Sequence, residues 1–202
     1  MQRTSPHKRE GFEVSSSFIG EFKSGDNIVY NLAILEALYD AYDSITPHRR
    51  AFLTKPIVFQ IACVVEAVLV DLALRILQHT REGVDSLPPS KLAAIRRKVE
   101  RSQEHLGFRR VISIFEEFNL FNEDPSFYSR LVELSKLRNR VHISNRKRME
   151  PLNEGQLFRG AAKLEAEKLC EELVRKFAKD FSRGRYFTYV EPLGFPWDAH
   201  CD

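Results

Sequence analysis

The sequence predicts an all-α protein, a bundle of about five or six helices with an extended C-terminal tail. Three observations carry this. From residue 27 onward apolar side chains recur at about 100° per residue, the period of an α-helix. Pro88, Pro89, Gly107 and Pro125 fall at the joints between periodic segments. One segment, 57–77, is apolar on nearly every side, as the central helix of a bundle must be. At 202 residues and 43% hydrophobic content the chain can bury one sizeable core, so one domain is expected.

Residues 1–24, rich in Ser, Gly and charge, read as a flexible arm ahead of a bundle spanning 25–184. Asp26 is the expected N-cap of a first helix over 27–44, in which Ile28, Leu32, Leu35, Leu38 and Tyr42 recur at helical spacing. Thr54 and Pro56 open a second helix running to residue 80, because proline is tolerated in a first turn. Glu66, Asp71 and Arg75 interrupt its apolar run. A charge at a bilayer centre costs several kcal/mol, so a buried core helix is a better reading than a membrane span. Asp71 and Arg75 are four apart and able to pair.

A third helix, 91–106, follows Pro88-Pro89-Ser90 and is strongly basic on its exposed face. A fourth, 108–121, follows Gly107, and Asp124-Pro125 precede a fifth over 126–144. The sixth, 154–181, repeats Phe158, Ala162, Leu169, Leu173 and Phe177 and ends by Gly184. The tail, 185–202, holds Tyr186, Phe187, Tyr189, Phe195 and Trp197 among prolines, a pattern suited to packing over the bundle.

The net charge of +3 is spread over 31 basic and 28 acidic side chains, which permits a polyanionic partner without requiring one. Cys63, Cys170 and Cys201 are odd in number and far apart, so neither a disulfide framework nor a zinc site is readable. That favours a reducing, cytoplasmic setting. Cys63, inside an apolar helix, reads as core filling. The stretch 1–10 is polar and charged, without the apolar run of a signal peptide. No metal or other cofactor is expected.

The fifth helix carries the most informative motif, Leu137-Arg138-Asn139-Arg140-Val141-His142. Phe127, Leu131, Leu134 and Val141 line one stripe, and Arg138 falls inside it, where a solvated arginine would not sit. Glu66 interrupts an apolar stripe of the second helix in the same way, so the two are natural partners. On a continuous helix Arg138 and His142 stand at i and i+4, within reach of one phosphodiester. Arginine would stabilise the phosphoryl oxygens, the imidazole would move a proton near neutral pH, and Asn139 would orient the imidazole or bind a phosphate oxygen. Such a set suits metal-independent cleavage of RNA, with the ribose 2′-hydroxyl as nucleophile. The same residues admit a plainer reading, in which the cations interact with the helix C-terminus and the Glu66–Arg138 pair fixes packing.

An all-helical bundle with Arg-Asn followed closely by His in a late helix resembles the HEPN superfamily of prokaryotic ribonucleases and RNA-binding modules. The resemblance covers residues 26–181 as an order of elements. In that family four to six residues separate the Arg from the His; here three do, which rotates the imidazole by about 100° on a helix. The resemblance implies catalytic roles for Arg138, Asn139 and His142, with Glu66 supporting Arg138. It also implies a homodimer whose two motifs face each other, and a toxin–antitoxin or phage-defence setting with a nucleotidyltransferase-like antitoxin. The shortened spacing leaves open a non-catalytic HEPN-like RNA-binding or assembly module. Arg140, Arg146, Lys147 and Arg148 are candidate phosphate contacts. A second basic group, Arg96, Arg97, Lys98, Arg101, Arg109 and Arg110, is interspersed with acids and reads as solvated helix face.

Overall fold

The computed structural model describes residues 13–78, 84, 87–141, 153–183 and 192–198. Among them are seven α-helices and one small sheet. In chain order these are β1 (Glu13–Val14), α1 (Phe22–Ser44), α2 (Pro47–Leu77), α3 (Pro89–Glu100), α4 (Phe108–Glu117), α5 (Pro125–Arg138), α6 (Glu154–Leu157), α7 (Gly160–Asp180) and β2 (Leu193–Gly194). The protein is an all-α bundle, as its periodicity dictates.

α2 is the hub. Length and hydropathy alone would let it cross a bilayer, but it packs against α1, α3, α4, α5 and α7, and most of its apolar stretch is buried. Ile57, Val58, Ile61, Val65, Leu69, Leu72 and Ile76 are shielded almost completely from solvent. Its start differs from the sequence reading. Pro47, not Pro56, supplies the first-turn proline, and Pro56 lies in the helix interior. There it forgoes one backbone hydrogen bond, a cost that the tertiary packing of its neighbours outweighs.

The segment read as a flexible arm is, from residue 13, part of the fold. Val14, Phe18 and Ile19 are core residues, and α1 begins at Phe22, ahead of the expected Asp26 cap. Asp71 anchors this segment by accepting hydrogen bonds from the Gly20 and Glu21 amides at 2.8 and 3.2 Å. Arg75 donates to the Phe181 carbonyl at 2.9 Å, and Arg183 donates to the carbonyls of Ile19 and Gly20. Gly20 packs so tightly on Arg75 that a Cβ there would come within 2.6 Å of its Cδ. The C-terminal segment closes the same region. β2 pairs antiparallel with β1, and Phe195 and Trp197 stack with ring centroids 4.9 Å apart. Trp197 donates to Glu171 at 2.6 Å. Tyr186, Phe187 and Tyr189 lie outside the described residues.

The single sixth helix expected over 154–181 is two helices. The chain turns at Phe158 and Arg159, and Gly160 begins α7. Phe158 is thereby buried at the joint. α7 also carries an ion pair inside the core. Lys163 Nζ lies 3.0 Å from Glu167 Oε1, the Tyr39 hydroxyl donates to the same carboxylate, and the ammonium sits over the rings of Tyr39 and Tyr42.

Candidate functional site

The Glu66–Arg138 pair inferred from interrupted stripes is present, with Arg138 Nη2 2.8 Å from Glu66 Oε2. Each partner arrives there for a local reason. Glu66 lies on the seam of α2 formed by Phe59, Cys63, Glu66, Ala67 and Val70, each only partly buried, whereas the rest of its middle turns is enclosed. The central helix is therefore not surrounded on every side. Glu66 Oε1 accepts the Phe108 amide at 3.1 Å, satisfying an orphan N–H at the start of α4 whose own N-cap, Gly107, has no side chain to do so. The carboxylate thus ties α4 to the end of α5 and meets the positive end of the α4 dipole.

Arg138 is the last residue of α5, and the chain continues as a 3-10 turn over Asn139–Val141. This corrects the expectation of a helix reaching residue 144. In a 3-10 turn each residue advances about 120° rather than 100°, so the argument that places residue 142 on the Arg138 face of one continuous α-helix does not apply. Asn139 is the C-cap, exposed, and its amide bonds back to the Leu137 and Ser135 carbonyls. Arg140 is half-buried. His142, Arg146, Lys147 and Arg148 lie outside the described residues.

The Arg138 side chain is 38% exposed, so its pair with Glu66 is only partly shielded from solvent. Among the described residues its Nε is buried and has no hydrogen-bond partner. Closed to solvent, this donor carries the cost of an unmade hydrogen bond inside the fold. Cys63, one turn before Glu66, belongs to the same cluster rather than to the core. Burial pushes its thiol pKa up, and the neighbouring Arg138 cation opposes this without cancelling it. The signal in the sequence was its i, i+3 spacing from Glu66.

Comparison of the chain with protein-family models, curated proteins and solved structures finds no match to any of them. Two groups converge at the site, a partly exposed cation and the carboxylate paired with it. Among the described residues no group of three or more His, Cys, Asp or Glu is placed to hold a metal ion. Half of the second basic group is engaged by the fold, while Arg97, Arg101 and Arg109 are exposed. Arg96 Nε donates to the Ile76 carbonyl, Lys98 pairs with Glu117, and Arg110 donates to Ser102.

Proposed function

We propose that this protein is a HEPN-like endoribonuclease of the cytoplasm that cuts RNA without a metal and acts as a homodimer. The observation that carries the reading is Arg138, paired with Glu66 yet partly exposed, at the end of α5 where the Arg-Asn-x-x-His motif begins. Arg138 binds the scissile phosphodiester and stabilises the charge that grows on its oxygens. The ribose 2′-hydroxyl attacks phosphorus, a His142 imidazole takes its proton, and the second His142 of the dimer protonates the departing 5′-oxygen. One O–P bond forms and one breaks, leaving a cyclic phosphate and a free 5′-hydroxyl. Asn139 orients the imidazole or a phosphate oxygen, and Arg140, Arg146, Lys147 and Arg148 hold the flanking backbone. The setting that fits is a toxin or defence effector neutralised by a nucleotidyltransferase-like antitoxin.

A second reading, a non-catalytic HEPN-like RNA-binding or assembly module, is favoured by the end of α5 at Arg138 together with the short spacing to His142. Purified protein incubated with mixed single-stranded RNA in EDTA separates the two. Cleavage that resists EDTA and falls by about 10²–10⁴-fold in His142→Ala supports the nuclease. Binding without cleavage in either protein supports the module. If neither cleavage nor binding occurs, the Glu66–Arg138 pair is a packing device only.

A further inference from the structure

The Glu66–Arg138 pair is one end of a longer feature. Pro56, Phe59, Cys63 and Glu66 stand at i, i+3, i+7 and i+10 on α2, so they share one face, and each is only partly buried. At the far end of this face a cavity of about 220 Å³ opens against the last turn of α5 and the α6–α7 joint. Lys55, Pro56, Phe59, Leu137 and Phe158 line it. Lys55 is already occupied there, 2.8 Å from Glu154 Oε2 and 5.7 Å from the centre of the Phe158 ring. The walls are otherwise carbon. Leu137 places the cavity beside Arg138 in sequence, and seven residues of helix set Phe59 about 10 Å from Glu66 along α2. Cys63 lies between them.

The geometry points to this cavity as the subsite for one base of a single-stranded RNA whose phosphate sits on Arg138, an inference that rests on the function proposed above. A partly exposed cation at one end and an apolar, ring-lined cavity at the other repeat the division of a nucleotide into anionic phosphate and flat base. A wholly apolar ligand would make no use of the partly exposed Arg138 cation. A phosphate alone would leave the cavity empty. Phe59 and Phe158 supply ring surface, and the ribose spans Cys63. Because the walls offer almost no donors or acceptors, the base is held by stacking and not read by its edges. The subsite accepts any base and prefers purines for their larger face.

The test uses the full chain and two strands that lack a cleavable 2′-hydroxyl. One is a 2′-O-methyl tetranucleotide of 2-aminopurine, and the other is an abasic strand of the same length. The expected result is quenching of 2-aminopurine fluorescence on binding, with the abasic strand bound roughly tenfold more weakly. Phe59→Ala and Phe59→Leu, the second keeping the bulk but not the ring, should bind both strands alike at the abasic level. Equal binding of both strands by the unaltered protein, or quenching that survives in both variants, overturns the subsite and leaves RNA binding standing. If neither strand binds, the proposed function fails and the subsite with it.

Discussion

Two glutamates in this protein are held by cations under opposite conditions. Glu167 and Lys163 are 8% and 5% exposed, and their remaining capacity is taken by the Tyr39 hydroxyl and by two aromatic faces. Glu66 and Arg138 are 18% and 38% exposed, and the arginine side chain reaches solvent. The chemistry of the two pairs is nearly the same. What differs is whether anything is left to bind a third party. The buried pair, with the Tyr39 hydroxyl on the same carboxylate, links α7 to α1, whereas the half-open pair still reaches solvent.

The comparison breaks most visibly at the buried pair. Glu167→Ala leaves an ammonium and a phenol without their acceptor in the core, and should cost about 3–5 kcal/mol in urea unfolding. A loss smaller than 1 kcal/mol would mean that the pair is hydrated and no different from its exposed counterpart. The anchoring of the N-terminal segment is next in size. Gly20→Ala drives a methyl into the Arg75 stem and should cost about 1–3 kcal/mol, read as a lowered unfolding midpoint. Arg138→Ala reverses the pattern. Stability should fall by about 1–2 kcal/mol, less than at the buried pair, because Arg138 is partly screened and Glu66 keeps the Phe108 amide. RNA affinity should fall by roughly 10–100-fold, the worth of a charge-assisted hydrogen bond. A variant that unfolds while keeping its affinity would assign Arg138 to packing instead.

The smallest effect is one of pH. Burial raises the Asp71 carboxyl above its ordinary 3.8, although the Gly20 amide, Arg75 and the Glu21 amide pull it down. The folded state therefore binds this proton more tightly than the unfolded chain. The stabilisation is complete below about pH 4 and is lost as the pH rises through the folded value. Urea unfolding from pH 3.5 to neutrality should show the stability of the wild type, relative to Asp71→Asn, declining upward through that window and then levelling. A difference that grows with pH would mean that the amide hydrogen bonds outweigh burial.

Several features were legible because they break a local rule. Glu66 and Arg138 each interrupt an apolar stripe, and a charge on a core face needs a partner, so the pairing could be read before any coordinates. The Lys163–Glu167 pair broke no such rule. An i, i+4 Lys–Glu pair on a helix is the commonest surface pattern, and nothing in its spacing distinguishes buried from exposed. Cys63 reads as filling because thiols usually are, yet the seam it occupies exists only because α4, α5 and α6 leave that face of α2 partly covered.

The sequence by itself determined the all-α class, the central place of α2 and the need of Glu66 for a cation, since periodicity and the cost of a lone buried charge act locally along the chain. The tertiary structure alone decided where helices stop. α5 ends at Arg138, the chain breaks at Phe158, and residues 13–20 fold onto Asp71 and Arg75. None of these follows from propensity, because each depends on which neighbour supplies a hydrogen bond or a surface to bury against.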